Sequence, residues 1–172
     1  NRDITYLMPF KNPVGLMACA RVFPEDKAQD ILLSESWLGR VVNGLGEPLD
    51  NKGRLTGNDV LPPQAPSINP LIRQSVNQPL DVGVKAINGL LTIGKGQRVG
   101  LMAGSGVGKS VLLGMITRQT KAEIVVVGLI GERGREVKEF IDHSLGTEGL
   151  AKSIIVAAPA DESPLMRLKA TE

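Results

Sequence analysis

Residues 103–110 read AGSGVGKS, and the last three of them, Gly108-Lys109-Ser110, match the end of the phosphate-binding P-loop pattern. Glycines at this spacing let backbone N–H groups turn toward an anion with no Cβ in the way. Ala103 stands where the pattern has its first glycine, and its methyl group adds little bulk if the backbone φ there is ordinary. The alternative interpretation is a glycine-rich turn that binds nothing.

The sequence on either side of this loop supports the P-loop interpretation. Residues 98–102 are a short apolar run of strand type, and residues 111–116 are apolar with helical length. A strand, a glycine loop and a helix N-terminus are the arrangement that an anion site requires. We expect Lys109 near the β and γ phosphates and the Ser110 hydroxyl on Mg²⁺. The residues expected to bind a nucleoside triphosphate are Gly104, Ser105, Gly106, Val107, Gly108, Lys109 and Ser110.

Length and composition favour about one compact domain with an aliphatic core, since 42% of the 172 residues are hydrophobic and 3% aromatic. The net charge of +2 does not indicate a nucleic-acid partner. Cys19 is the only cysteine, so no internal disulfide can form and a reducing compartment fits. No apolar run approaches the ~20 residues that cross a bilayer. We therefore expect an excised piece of a cytosolic protein whose membrane link, if any, runs through partners.

The chain divides into three regions by composition. Apolar clusters at 4–8, 14–20 and 31–33 suggest a few β-strands in residues 1–33, whereas residues 34–80 are rich in Gly, Pro and Asn and predict a connector. Beyond residue 81 strands alternate with helices, which predicts an α/β fold with a parallel sheet flanked by helices. The predicted elements there are helices over 82–91, 109–120 and 135–145, and strands over 98–103, 124–130 and 153–158.

A charged turn, Gly131-Glu132-Arg133-Gly134, directly follows the predicted strand 124–130. Ligands of open α/β sheets bind beyond the carboxyl ends of strands, so we expect Glu132 and the P-loop at the same sheet edge. A carboxylate there can orient and polarise the water that attacks a γ-phosphorus, and Arg133 can approach the phosphate charge. The competing interpretation is a solvated turn that caps the helix 135–145, and spacing alone does not decide between the two.

Together, the P-loop and the stretch 127–137, VGLIGERGREV, resemble the ATPases of type III protein export, which drive flagellar assembly and the related virulence injectisomes. The resemblance covers residues 36–172 well and residues 1–35 loosely. It implies that Lys109 and Ser110 bind the triphosphate of ATP and Mg²⁺, that Glu132 is the catalytic carboxylate, and that Arg133 contacts phosphate. The other matching stretches are 38–42, 44–50, 81–88, 94–98 and 158–167.

The same resemblance implies a truncated RecA-like P-loop NTPase core at 81–172, reached through the connector 34–80. Residues 1–33 would be the C-terminal part of an N-terminal β-barrel domain that mediates ring formation. The family's Walker B strand, Mg²⁺-linked Asp and arginine finger would lie beyond Glu172. Loss of the arginine finger alone can cost about 10³–10⁵ in rate. We therefore expect the fragment alone to bind nucleotide weakly and to hydrolyse it negligibly.

For the complete protein the resemblance implies a cytoplasmic homohexamer that docks at the inner-membrane export gate. Its partners would be the export apparatus, stator or regulator and stalk proteins, and export chaperone–substrate complexes, with no nucleic acid. The wider relatives are the subunits of rotary ATP synthases and the transcription terminator Rho.

Particular residues separate these relatives. Glu132 stands where the regulatory synthase subunit typically has Gln, which indicates a catalytic type. Gly134 and residues 137–140 match the export form rather than the catalytic synthase subunit, and residues 105–108 and 157–161 look flagellar. A catalytic synthase subunit, a non-catalytic nucleotide-binding assembly subunit and a Rho-like RNA translocase stay as alternatives. The last of these predicts a basic, aromatic N-terminal face, which residues 1–33 do not show.

Overall fold

The computed structural model describes residues 4–11, 13–24, 31–61, 68–104 and 106–172. Its strands are β1 (Ile31–Leu33), β2 (Arg40–Val42), β3 (Asp59–Leu61), β4 (Val125–Ile130) and β5 (Ser153–Ala158). The main sheet is parallel with the order β2-β5-β4, while β1 and β3 form a separate antiparallel pair. Within the described ranges, no helix combines the length and the apolar character needed to cross a bilayer.

In the described part of the chain, five α-helices accompany these strands. They are α1 (Lys85–Leu90), α2 (Lys109–Gln119), α3 (Gly134–Glu139), α4 (Gly146–Ala151) and α5 (Pro164–Thr171). Between α3 and α4 the helix widens into a π segment, Phe140–Leu145. The sheet strands β4 and β5 are therefore joined by one long helical crossover, which is the connection that parallel strands require.

The core lies between the sheet and this crossover. Alternate residues of the strands face the helices, because successive side chains of a strand point to opposite faces. Leu145 in the π segment and Ile155 in β5 are both 0% exposed. The buried cluster consists of Val41, Val127, Leu129, Val137, Phe140, Leu145, Ile155 and Ala157.

The opposite face of the sheet is only partly covered. Met166 of α5 packs there and is 1% exposed, but Val126 in β4 is 65% exposed. The apolar character of β4 and β5 on both faces agrees with the predicted parallel sheet. Helices thus cover one face of the sheet completely and the other face only partly.

Helix α2, which follows the P-loop, is anchored at its C-terminal end. The carbonyl oxygen of Asp81 accepts hydrogen bonds from the Thr120 hydroxyl at 3.2 Å and from the Lys121 N–H at 2.9 Å. The Lys152 ammonium donates to the Thr120 carbonyl oxygen at 3.0 Å. These contacts hold the C-terminal end of α2, and the P-loop lies at the opposite end of the helix.

Several sequence predictions are confirmed. The helix predicted over 109–120 is α2, and the strands predicted over 124–130 and 153–158 are β4 and β5, with ends that differ by at most one residue. The helix predicted over 135–145 begins at Gly134 and continues beyond Leu145 as α4. The helix predicted over 82–91 is the shorter α1.

Three predicted strands are wrong. Residues 98–103, 4–8 and 14–20 form no strand, and Met102, Tyr6 and Met17 are 93%, 91% and 80% exposed. A strand is stable only in a ladder, and none of the described residues pairs with these segments. Their apolar side chains, which motivated the predictions, gain no burial here. Of the regions 1–33 and 34–80, residues 1–3, 12, 25–30 and 62–67 lie outside the described part of the chain.

A buried ion pair ties β2 to the turn that follows it. The Arg40 guanidinium donates to both carboxylate oxygens of Asp50, at 2.7 and 3.0 Å, and to the carbonyl oxygen of Gly53. Both side chains are at most 10% exposed. The Arg40 hydrogen bonds hold the pKa of Asp50 well below its usual range, against the effect of burial, and the backbone N–H groups of Lys52 and Val41 add to this.

The depressed pKa of Asp50 predicts an acid-sensitive fold. A carboxylate whose folded pKa lies below its unfolded value, about 4, stabilises the protein fully above that value and loses this effect as the pH falls further. Between pH 5 and pH 3, the melting temperature of the wild type should fall further than that of an Asp50→Asn variant. We expect the difference between the two decreases to be about 2–4 °C. Thermal unfolding followed by circular dichroism measures this. Asp142→Asn, which changes an exposed carboxylate, should keep the wild-type pH dependence, and an equal dependence in Asp50→Asn would contradict the assignment.

Candidate functional site

The P-loop presents backbone conformations that only glycine adopts easily. Gly106 has a φ of +77° and Gly108, the N-cap residue of α2, has a φ of +95°. A Cβ at Gly104, Gly106 or Gly108 would meet no atom within 4 Å. The positive φ values rather than crowding therefore account for glycine at 106 and 108. Ser105 lies outside the described residues.

The loop opens onto a cavity of about 450 Å³ at the N-terminus of α2. Lys109, the first residue of α2, points its ammonium toward Glu132, with 3.4 Å between Nζ and Oε1. The two side chains are 47% and 37% exposed. The residues that line the cavity are Ala103, Gly104, Gly106, Gly108, Lys109, Ser110, Val111, Glu132 and Glu136.

Glu132 is held in this position by the backbone around it. Strand β4 ends at Ile130, and the Gly131 N–H donates to the Ala158 carbonyl oxygen at 2.8 Å, with φ of +75° at Gly131. The Glu132 carbonyl oxygen accepts from the Ala160 N–H at 2.9 Å. The turn after β4 is thereby fixed to the loop after β5. As expected, Glu132 follows the carboxyl end of a sheet strand and lines one cavity with the P-loop. The P-loop itself follows no strand, because residues 98–103 pair with none of the described residues.

Two predicted residues lie away from the cavity wall. Arg133 is the exposed N-cap residue of α3, and Val107 is 67% exposed; neither lines the cavity. Glu136 does line it and was not predicted. The sequence contained a signal for it, because Glu136 falls in the first turn of the helix predicted over 135–145, and side chains of a first helical turn lean toward the helix N-terminus.

The electrostatics of the cavity suit an anion together with a cation. The N-terminus of the 11-residue α2 and the Lys109 ammonium supply positive charge, while Glu132 and Glu136 contribute carboxylates to the lining. The described residues contain no group of three or more His, Cys, Asp or Glu side chains that could hold a metal ion alone. A Mg²⁺ ion here would take ligands from the Ser110 hydroxyl and from the phosphates themselves, which is how P-loops hold it.

Comparison with known proteins agrees with the resemblance drawn from the motifs. The flagellum-specific ATP synthase of Pseudomonas aeruginosa is 58% identical over 167 residues, which are 97% of this chain and 37% of that protein. The type 3 secretion system ATPase of Xanthomonas euvesicatoria is 43% identical over 170 residues, 99% of this chain and 38% of that protein. The chain thus spans less than two fifths of the length of these curated relatives.

Solved structures give the same result. The assembled ATPase EscN from the enteropathogenic E. coli type III secretion system matches 94% of this chain, and 39% of its own, with a TM-score of 0.83 and 41% identity. A prototypical ATPase from the type III secretion system of pathogenic bacteria matches 83% of this chain, and 41% of its own, with a TM-score of 0.77 and 44% identity. The model of the ATP synthase alpha/beta family, nucleotide-binding domain, matches residues 83–172. Because that match covers more than half of the sequence, the chain belongs to the ATP synthase alpha/beta family.

Proposed function

We propose that this chain carries the nucleotide site of an ATPase that drives protein export by a flagellar or type III secretion apparatus. The observation that carries the proposal is the 3.4 Å approach of Lys109 to Glu132 across a P-loop cavity at the carboxyl edge of a parallel sheet. A phosphate-binding lysine and a carboxylate that can orient water are the two groups that hydrolysis of a phosphoanhydride needs first. The names of the relatives above supply the link to export.

The loop residues have different roles in nucleotide binding. The N–H groups at Gly104, Ser105, Gly106, Val107 and Gly108 donate to the triphosphate, and Lys109 neutralises charge on the β and γ phosphates. Ser110 would hold Mg²⁺, and Mg²⁺ would neutralise the charge that develops on the phosphate oxygens. The open space beside the three glycines leaves room for oxygen atoms to approach the backbone closely.

Glu132 acts on the attacking water. Its ion pair with Lys109 is more than a third exposed on both sides, and such pairs contribute only about 0–1 kcal/mol. Phosphate oxygens therefore replace the carboxylate as the partner of Lys109 at little cost. Glu132 is then free to accept a hydrogen bond from a water molecule in line with the γ-phosphorus. Arg133, exposed beside it, reaches the phosphate charge by a change of side-chain conformation.

The finer architecture belongs to the same proposal. Residues 81–172 form the first part of a RecA-like core, and residues 1–33 are the remnant of an N-terminal β-barrel. The complete protein works as a homohexamer in the cytoplasm and docks at the inner-membrane export gate. Support comes from the solved structures of EscN, which describe an assembled ATPase and its complex with the central stalk EscO. We propose a stalk protein, regulators and export chaperone–substrate complexes as partners here.

The proposal predicts a specific biochemical profile for the complete gene product. We expect ATP hydrolysis that depends on Mg²⁺ and that RNA does not stimulate, because a net charge of +2 does not indicate a nucleic-acid partner. Phosphate release with and without Mg²⁺ and RNA measures this. In cells that lack the gene, the wild-type gene should restore secretion of export substrates and the Glu132→Gln gene should not. RNA-stimulated turnover, or restoration by Glu132→Gln, would contradict the proposal.

A further inference from the structure

Helix α2 packs unusually closely against the π segment. Gly114, buried in the middle of α2, faces Ser144. A Cβ at Gly114 would lie 2.6 Å from the Ser144 carbonyl oxygen and 2.8 Å from the Ser144 Cβ, whereas ordinary contacts begin at 3.4 Å. The two helices are therefore closer at this point than any side chain at position 114 allows.

Rotating a side chain on either helix would not make room for a Cβ at position 114. The nearest atom is a backbone oxygen, and the residue after it, Leu145, is 0% exposed in the core. On α2, Thr117 is 2% exposed, and its hydroxyl donates to the Leu113 carbonyl oxygen at 2.9 Å. A methyl group at position 114 must therefore move one helix relative to the other by about 0.8 Å, the difference between 2.6 and 3.4 Å.

Both helices lead directly to the candidate site. Lys109 begins α2 five residues before Gly114, and the crossover that contains Ser144 begins at Gly134, two residues after Glu132. Glu132 is also fixed to the loop after β5 through the Ala160 N–H. Because the C-terminal end of α2 is held at Asp81 and Lys152, a shift at the Gly114–Ser144 contact tilts α2 about that end and moves the P-loop, while Glu132 stays with the sheet.

We infer that Gly114 is a positioning residue that sets the distance between the P-loop and Glu132. The inference rests on the proposed hydrolytic function and adds a residue that lies outside the cavity lining. Apart from Arg133, the groups proposed to bind the triphosphate lie on the loop and on α2, so they keep their mutual geometry when α2 moves. The water-orienting carboxylate, Glu132, is instead attached to the sheet. Enlarging position 114 therefore impairs hydrolysis much more than nucleotide binding.

The test is a Gly114→Ala variant of the complete gene product. A misplacement near 1 Å can cost about 10²-fold in rate, so we expect kcat to fall by about 10–100-fold while the dissociation constant for ATP changes by less than about 3-fold. Gly89→Ala is the matched control, because it makes the same change within α1 where a Cβ meets nothing within 4 Å. Equal loss of binding and turnover, or wild-type kcat in folded Gly114→Ala, would overturn the inference.

The same experiment separates this inference from the proposed function. If wild type and Gly89→Ala fail to hydrolyse ATP, the proposed function is wrong; if both hydrolyse it and Gly114→Ala does so equally, only the role of Gly114 is wrong. Should Gly114→Ala not fold, it is combined with Ser144→Gly, which removes the Cβ at 2.8 Å but leaves the carbonyl at 2.6 Å. We then expect a lower kcat than in Ser144→Gly alone, and an equal kcat would overturn the inference.

Discussion

The Lys109→Ala variant of the complete gene product is expected to lose nucleotide binding and ATP hydrolysis together. Hydrogen bonds to charged groups contribute about 1.5–3 kcal/mol each, and 1.4 kcal/mol corresponds to a tenfold change in affinity. Two such bonds to phosphate oxygens are worth about 10²–10⁴-fold. The Lys109 ammonium also neutralises Glu132, 3.4 Å away. Its removal leaves an unpaired carboxylate facing the phosphates, which lowers the affinity further.

Equilibrium titration with a fluorescent ATP analogue, together with phosphate release, measures both effects. Lys138→Ala is the matched control, since Lys138 is an exposed lysine in the last turn of α3 and does not line the cavity. It should bind and hydrolyse ATP like the wild type. Because Lys109 is about half exposed, we expect the melting temperature of Lys109→Ala to stay close to the wild-type value. Unchanged ATP turnover in this variant would refute the P-loop assignment.

The Glu132→Gln variant is expected to separate binding from hydrolysis. Glutamine has nearly the same shape but lacks the negative charge and the proton-accepting oxygen, and general-base catalysis contributes typically about 10²–10⁴-fold. We expect kcat to fall by about that factor. The dissociation constant for ATP should change by no more than a few-fold, because the phosphate donors lie on the loop and α2 and remain in place.

A steady-state assay gives kcat, and the binding titration gives the dissociation constant for ATP. Glu139→Gln changes an exposed carboxylate at the end of α3, the helix that follows Glu132, outside the cavity, and should leave kcat and the dissociation constant unchanged. If binding falls as much as turnover in Glu132→Gln, Glu132 holds the site together rather than acting on water.

The parts of the fold that sequence predicts well are those whose signal is local. Strands β4 and β5 are continuous apolar runs bounded by turn residues, and α2 starts where the Gly108-Lys109-Ser110 pattern places a helix N-terminus. The position of Glu132 is predictable as well, because a charged residue directly after a buried parallel strand falls at the ligand-binding edge. These signals need only a few neighbouring residues.

The parts that it misses depend on distant partners. Strand β2 is three residues long inside a Gly- and Pro-rich stretch, and it exists because Val41 pairs with Ile155 far along the chain. Conversely, residues 98–103 have strand composition but pair with no described residue. Helix α5 had a local signal, the N-cap Ser163 followed by Pro164, that the apolar pattern alone does not reveal. The close contact at Gly114 is a property of two packed helices, so no single stretch of sequence predicts it.

The central claim is that the P-loop and Glu132 form one hydrolytic site, and single-turnover cleavage tests it most directly. Radiolabelled ATP is bound to an excess of the complete gene product, Mg²⁺ is added, and labelled phosphate is followed in wild type and in Glu132→Gln. Our account predicts that wild type cleaves the bound ATP, whereas Glu132→Gln retains it intact at least about 10²-fold longer. Cleavage at equal rates in the two proteins would contradict it.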